Sequence, residues 1–357
     1  MSQHSWRVPL IAIAGASLLA GLWVGLLRLG WELPQPRLPL PSAHGPLMVS
    51  GFLGTLIGLE RAVALEKRWT YGAPLCAALS VLAMLILPLS DIAPLLATAG
   101  SLFLAAIFVS LFRRRPSTFF ATMTAGAVLW LVGNFLWYTG LPLHQVVPWW
   151  AGFLTLMIAG ERLELSRLLK LSRRGWVNFL FGVALFLGGL LLSIAAFEAG
   201  VKLCGGGLAA LGLWLLRCDM ARRAVREHGL ARFMASALLC GYVWLVIGGL
   251  LWIIFAGSFS SGPHYDAMLH AIFLGFVFSM IFAHAPIIFP SITGIAMPFR
   301  PAFYGHLVLL HASLVLRIGG DFAESLPFQQ WGGMLNVAAV LLFLLNNVRA
   351  VRLNRTG

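Results

Sequence analysis

Long, uninterrupted apolar stretches are the feature that most constrains how this chain can fold. Of its 357 residues, 60% are hydrophobic and only 10% are charged, whereas a soluble domain carries about 25% charged residues. A helix that crosses a bilayer needs about 20 mostly apolar residues. Twelve stretches of this kind occur, at approximately 8–27, 44–65, 71–90, 93–112, 118–139, 147–168, 176–197, 200–217, 232–257, 266–289, 302–319 and 331–349. They lack the period-two alternation of a membrane barrel, so the sequence predicts an all-α integral membrane protein with about twelve transmembrane helices.

The formal net charge of +13 is explained by membrane topology. A strongly basic chain can indicate a nucleic-acid partner, but here Lys and Arg concentrate in every second connection between the apolar stretches, for example at 113–115 and 217–232. The positive-inside rule assigns such connections to the cytoplasm. Because the number of spans is even, both termini are predicted to be cytoplasmic. The expected surroundings are membrane lipid, with no nucleic-acid partner.

Two similar fragments indicate an internal repeat. GFLGTLIGLERAV at 51–63 and GFLTLMIAGERLE at 152–164 share Gly-Phe-Leu, Ile and Glu-Arg after a shift of 101 residues. A weaker third copy, GFVFSMIFAHAPI, begins at Gly275 and has His284 where the first copy has Glu60. Because these copies fall in spans 2, 6 and 10, we predict one polytopic domain over 1–357, built from three four-helix units in a pseudo-threefold arrangement. Their approximate limits are 1–112, 113–217 and 218–357. The alternative is chance similarity among apolar residues.

Each of the first two copies ends in a Glu-Arg pair inside an apolar helix. Adjacent residues point about 100° apart on a helix, so Glu60 need not bind Arg61. We predict an ion-pair network in which Glu60 reaches Arg162 and Glu161 reaches Arg61, joining repeat to repeat. Two alternatives are a proton or ion pathway from the cytoplasm and simple snorkelling of the arginines to the interface.

Histidines are the strongest candidates for a cofactor site. Five of the nine lie in or at the ends of predicted spans, namely His44, His270, His284, His306 and His311. An imidazole in lipid is costly unless it has a partner, and it is an axial ligand of haem and a common ligand of copper. We predict His44 and His270 as cofactor-binding residues and the other three as metal ligands. The alternative for each is a polar group that bridges two helices.

The spacing of these histidines suggests two sites at different depths. His270 and His284 are 14 residues apart, so on a regular α-helix they share a face to within about 40° and stand about 21 Å apart. Gly275 lies between them, where a flat ring could approach the backbone. His44 begins span 2 near the depth of His270, which allows a His44–haem–His270 arrangement. At the other side, His284 with His306 or His311 could hold a metal or a second haem.

The stretches PSAHGPLMVSGFLGTLIGLE and LHAIFLGFVFSMIFAHAP resemble the NnrS family of haem- and copper-containing membrane proteins. Members often have an HxHE-like motif at the first stretch, and this chain has HGPL there. A wider architectural similarity is to the haem-copper oxidase core subunit, whose low-spin haem is held by histidines on spans 2 and 10. The copper-centre histidines of its spans 6 and 7 have no counterpart here.

The resemblance implies a protein of the bacterial inner membrane that holds b-type haem, with copper as a further metal. It also implies nitric oxide as a small gaseous ligand and a link to nitric oxide handling or denitrification. It does not decide whether the chain is an enzyme. The alternative is a secondary transporter without a prosthetic group, using the Glu-Arg pairs of spans 2 and 6. A third alternative is a factor that assembles haem or copper into a partner enzyme.

Overall fold

The fold is all-α, as the sequence predicts. The structure is a computed structural model that describes residues 7–34, 43–87, 90–166 and 171–355, and within these ranges it contains no strand. Twelve long helices follow one another in the described ranges: α1 Val8–Arg28, α2 His44–Leu65, α3 Arg68–Ile86, α4 Ile92–Arg114, α5 Thr118–Tyr138, α6 Leu143–Ser166, α7 Arg173–Ala195, α8 Phe197–Cys218, α9 Gly229–Ile254, α10 Pro263–Thr293, α11 Phe303–Phe322 and α12 Leu326–Arg355. A short helix, Ala221–Ala224, lies between α8 and α9.

Eleven of these helices are long and apolar enough to cross a membrane. The exception among the twelve is α6, which contains the predicted span 147–168 up to Ser166 and has 24 residues. Its polar residues, among them His144, Gln145, Glu161, Arg162 and Glu164, lower its apolar character. The number of apolar helices makes this chain a multi-pass membrane protein.

The chain divides into two compact units. Unit 1 comprises Met1–Phe153 and Ile288–Ile295, and unit 2 comprises Leu154–Ile287 and Ala296–Gly357. Both α6 and α10 contribute residues to each unit. The three repeat units predicted from the sequence stay a prediction.

In unit 1, a buried polar network joins α2, α4, α5 and α6. The amide oxygen of Asn134 accepts hydrogen bonds from the hydroxyl of Ser50 at 2.9 Å and from the indole N–H of Trp150 at 3.0 Å. The Asn134 amide nitrogen donates to the carbonyl oxygen of Ala97. Gly54 allows α2 to approach the ring of Trp130, because a Cβ at residue 54 would overlap that indole. All these polar side chains are buried and satisfied, which is what lipid surroundings require.

In unit 2, small residues let neighbouring helices approach closely. The helix α8 packs against both α7 and α9. A Cβ at Gly205 would stand 2.5 Å from the carbonyl oxygen of Gly249, and one at Gly189 would stand 2.5 Å from the backbone nitrogen of Cys204. Helices in a bilayer gain little from burying apolar surface against each other, so close van der Waals packing of this kind holds them together.

Two of the helices contain a π-helical segment. In α2 it spans Leu47–Leu53, and in α10 it spans Ala271–Phe278. The π-helix is rare and is frequent at functional sites. Both segments contain the Gly-Phe pair of the predicted repeat, Gly51 in one and Gly275 in the other.

Candidate functional site

Both histidines predicted to bind a cofactor lie at the start of a π-helical segment. His44 begins α2, three residues before Leu47, and His270 immediately precedes Ala271. They belong to different units, so the predicted His44–haem–His270 pairing stays a prediction.

The imidazole of His44 is held against α1. Its Nδ1 lies 2.8 Å from the carbonyl oxygen of Gly21. A Cβ on Gly25 would come within 3.1 Å of the ring, so the glycine provides the space that the imidazole occupies. Because a carbonyl oxygen only accepts hydrogen bonds, Nδ1 must be the protonated nitrogen. In the neutral ring the lone pair is therefore on Nε2.

The imidazole of His270 is held by a carboxylate that is itself bound to an arginine. His270 Nδ1 lies 2.9 Å from the backbone oxygen of Asp266 and 3.2 Å from its carboxylate Oδ1. The Asp266 carboxylate accepts two hydrogen bonds from Arg317 on α11, at 2.7 and 2.8 Å. Bidentate pairs of this kind are strong and fix geometry. Nδ1 is again the donor, so the lone pair of neutral His270 is on Nε2.

A second carboxylate completes this group. Asp321, one turn beyond Arg317 on α11, is buried and interacts electrostatically with Asp266 and Arg317. Among the described residues, its Oδ2 has no hydrogen-bond partner. The group of Asp266, His270, Arg317 and Asp321 therefore contains two carboxyls and one guanidinium. The sequence indicates this group through two pairs of residues spaced i, i+4 on a helix. These pairs are Asp266 with His270 and Arg317 with Asp321.

His284, predicted as a metal ligand, resembles His270 in its hydrogen bond. Its Nδ1 lies 2.7 Å from the carbonyl oxygen of Met280 on the same helix. Nδ1 is therefore the donor, and the lone pair of the neutral ring is on Nε2.

The other two predicted metal ligands have the opposite tautomer. Nδ1 of His311 accepts a hydrogen bond from the indole nitrogen of Trp244 at 3.0 Å, and indole is only a donor. Nδ1 of His306 faces the amide nitrogen of Asn346 at 3.2 Å, and that nitrogen also donates to the carbonyl oxygen of Ala302. Both Nε2 atoms therefore carry the proton.

The proton on Nε2 has a consequence for metal binding. In the described part of the chain, Nε2 of His306 and Nε2 of His311 are buried without a hydrogen-bond partner. Around His306 the neighbours are aromatic, with Phe282 and Phe343 at ring-centroid distances of 4.7 and 5.3 Å. To ligate a metal through Nε2, each ring would have to give up the contact that Nδ1 makes. Within the described residues, no three His, Cys, Asp or Glu side chains form a group that could hold a metal ion.

Two details of the predicted spacing on α10 are corrected by the structure. The π-helical segment between His270 and His284 has more residues per turn than an α-helix, so a common face to within about 40° does not follow from their separation. The space beside Gly275 is taken by the indole of Trp244, which a Cβ on residue 275 would overlap. A flat ring does approach this backbone, but it is a side chain of α9.

The Glu-Arg pairs have different surroundings in the two units. In unit 1, Arg61 lies 3.4 Å from its neighbour Glu60 and 5.6 Å from the ring centroid of Phe108. In unit 2, Arg162 donates two hydrogen bonds to Asp219, at 2.7 and 2.9 Å. Asp219 follows α8 and lies outside the predicted network. The predicted pairing of Glu60 with Arg162 and of Glu161 with Arg61 stays a prediction.

Comparison with known families places the chain in one of them. Residues 7–352 match the family described as Domain of unknown function (DUF8744). The chain belongs to this family. A comparison with curated proteins finds no match.

In this DUF8744 chain, sequence reasoning did not identify Asp219, Asp266, Arg317 or Asp321. Asp219 could have been identified as a candidate ion-pair partner, because it is an acidic residue among Arg217, Arg222 and Arg223. Arg317 lies within α11 and is mostly buried. A charged residue inside an apolar helix is costly without a partner. The position of Arg317 in an apolar stretch therefore indicates that a carboxylate lies beside it.

Proposed function

We propose that this DUF8744 protein binds b-type haem in the bacterial inner membrane and handles nitric oxide or supports denitrification, as its resemblance to the NnrS family implies. One observation carries the proposal. His44 and His270 each stand at the start of a π-helical segment, and each donates its Nδ1 proton to a carbonyl oxygen. A haem-ligating histidine needs this tautomer, because its other nitrogen must offer the lone pair.

The residues around His270 fit an axial ligand. A carboxylate that accepts the Nδ1 proton fixes the ring and raises the basicity of the ligating nitrogen. Asp266 contacts that proton, and Arg317 fixes the Asp266 carboxylate in turn. When bound, ferrous haem in an apolar pocket would supply a binding site for a small neutral gas such as nitric oxide, which partitions into lipid.

Copper is the weaker part of the proposal. His284 has the tautomer that a copper ligand needs, whereas His306 and His311 would have to lose the hydrogen bonds at Nδ1. The tautomers therefore support haem ligation by His44 and His270 more strongly than they support a copper site. The Lys and Arg distribution supports the proposed topology, with both termini in the cytoplasm.

An optical spectrum of the purified protein tests the haem proposal. Protein purified from haem-replete cells is expected to show a Soret band that is lost or altered in His44→Ala and in His270→Ala. The control is His264→Ala, on the same helix as His270, where the ring stacks on Phe255 at 4.2 Å and no ligation is proposed. His270→Met keeps a haem ligand at this position and is expected to restore haem with a changed reduction potential.

A colourless preparation from haem-replete cells would overturn the haem proposal and favour the transporter alternative. Spectra of His44→Ala and His270→Ala that match the wild type would overturn the assignment of these two ligands. Metal analysis of the same samples measures iron and copper per chain, and copper that is retained after His284→Ala would remove that residue from the proposal.

A further inference from the structure

A cavity of about 390 Å³ opens at the end of unit 2 where α9 and α11 begin. Its wall includes His228 just before α9, Arg232 and Ser236 from the start of α9, Phe299 from the segment before α11, and Tyr304 from the first turn of α11. All of these residues lie in one unit. The cavity involves none of the histidines considered above, so it is independent of the proposed haem site.

The chemistry of the wall selects an anion. It offers the guanidinium of Arg232, the imidazole of His228 and the hydroxyl of Tyr304, and no acidic residue lines it. The Ser236 hydroxyl donates to the backbone oxygen of Arg232. In the described part of the chain, no hydrogen bond or ion pair occupies the Arg232 guanidinium, unlike those of Arg162 and Arg317. A guanidinium that has no carboxylate partner is a strong binder of phosphate.

The segment before α9 reinforces this preference. Residues 217–232 contain five arginines, Arg217, Arg222, Arg223, Arg226 and Arg232. Clusters of this size beside a membrane helix attract anionic lipid. In addition, α9 begins at Gly229 without a side-chain cap, so its first backbone N–H groups add positive potential at the same place. The Arg cluster supplies attraction along the surface, and the cavity supplies a defined position for one anion.

Aromatic rings on one side of the cavity suggest that the ligand also has an apolar part. Phe233, buried one residue beyond Arg232, packs against Phe299 at 5.8 Å and against Tyr304 at 5.4 Å between ring centroids. The cavity lies where two membrane-spanning helices begin, which is the depth of the lipid headgroups. A free phosphate would use only the polar wall, whereas a phospholipid would also lie along the rings of Phe299 and Tyr304, which line the cavity.

We propose that this cavity is a binding site for the phosphate headgroup of an anionic membrane phospholipid. Arg232 binds the phosphate oxygens, His228 and Tyr304 contribute hydrogen bonds, and Phe299 contacts the glycerol end of the acyl chains. The bound lipid joins the first turn of α9 to the segment before α11, so it stabilises unit 2.

Thermal unfolding of the full chain in detergent tests this proposal. Phosphatidylglycerol is the probe, phosphatidylcholine is the zwitterionic comparison, and inorganic phosphate is the comparison without acyl chains. We expect phosphatidylglycerol to raise Tm of the wild type, because a ligand that binds the folded state stabilises it. In Arg232→Gln the concentration needed for half of this rise is expected to increase roughly tenfold, as loss of a charge-assisted hydrogen bond predicts.

The matched control is Arg226→Gln, which removes the same charge from the same segment at an exposed position outside the cavity. It is expected to keep the response to phosphatidylglycerol. Tyr304→Phe keeps the aromatic ring, removes only the hydroxyl, and provides a second variant should Arg232→Gln not fold. An intermediate loss of affinity is expected for it.

Three outcomes would overturn the proposal. If the wild type responds equally to phosphatidylglycerol and phosphatidylcholine, the site does not recognise an anionic headgroup. Equal loss of response in Arg226→Gln and Arg232→Gln would mean diffuse attraction to the arginine cluster. A rise in Tm of the same size with inorganic phosphate would keep the phosphate chemistry and overturn the lipid as its source.

Discussion

The Glu-Arg pair of α2 and the Glu-Arg pair of α6 have the same sequence and different surroundings. The Arg61 side chain is 20% exposed and lies 3.4 Å from the carboxylate of the adjacent Glu60. Arg162 is 7% exposed and is bound through two nitrogens to Asp219, whose side chain is fully buried. The buried Tyr242 on α9 also interacts electrostatically with both ions. The two copies of the repeated Glu-Arg pair therefore differ in burial: the pair in unit 1 is partly exposed, whereas Arg162 in unit 2 belongs to a buried ion pair.

The difference shows that local sequence does not choose the partner of a charged residue. Asp219 is 57 residues from Arg162 along the chain. It also accepts a hydrogen bond from the backbone nitrogen of Ala221 at 2.7 Å, which fixes the turn after α8. The contrast predicts unequal costs when corresponding groups are changed.

The largest effect is expected from Asp219→Asn. The amide retains the shape of the carboxylate, but it leaves the buried Arg162 without its counter-charge, which costs about 3–5 kcal/mol of unfolding free energy. Chemical denaturation in detergent micelles measures this cost. Asp91→Asn, a change of the same kind at an exposed helix end, is the control and should cost no more than about 0.5 kcal/mol. Equal costs for the two variants would show that the Arg162–Asp219 pair is not a buried ion pair.

An intermediate effect is expected from Gly54→Ala in the first fragment. The corresponding position of the second fragment is Thr155, so glycine here reflects the packing of unit 1 alone. The new methyl would overlap the Trp130 indole, which is fully buried and cannot move freely. Overpacking of this kind costs about 1–3 kcal/mol.

Gly15→Ala in α1 is the control for this prediction, because a Cβ there meets nothing within 4 Å. That variant should be neutral or slightly more stable, since alanine favours the helix by up to about 1 kcal/mol. If both alanine variants had the same unfolding free energy, α2 would not approach Trp130 as closely as described.

The smallest effect is expected from Glu60→Gln. Glu60 is 27% exposed and its contact with Arg61 is long, so its loss should cost about 1 kcal/mol or less, as for exposed ion pairs. The same denaturation assay applies. A cost as large as that of Asp219→Asn would indicate a buried partner for Glu60, as the predicted pairing with Arg162 requires.

The helices themselves were predictable from the sequence, while their irregularities were not. The apolar runs at 44–65 and 118–139 correspond to α2 at His44–Leu65 and α5 at Thr118–Tyr138. Neither π-helical segment was predicted, because both are mostly apolar and their composition is compatible with either type of helix. The close approach of Ser17 and Val81 to Gly51 lies in the first of these segments.

The candidate site was predictable in part. His44 and His270 were identified from the sequence, because an imidazole inside an apolar run is costly to bury in lipid. Their hydrogen bonds were not found, because the partner of His44 is a backbone oxygen on α1. The same limit applies to His311, whose tautomer is set by Trp244 on α9.

The sequence by itself determined that the chain is a multi-pass all-α membrane protein, and it determined where its helices run. It could do so because a bilayer forces each crossing segment to satisfy its backbone hydrogen bonds within itself, which makes crossing a local property. Only the tertiary structure decided which carboxylate neutralises Arg162 and Arg317, and which nitrogen of each imidazole carries the proton. Those outcomes depend on the side chains that neighbouring helices bring together, and residues far apart in the chain supply them.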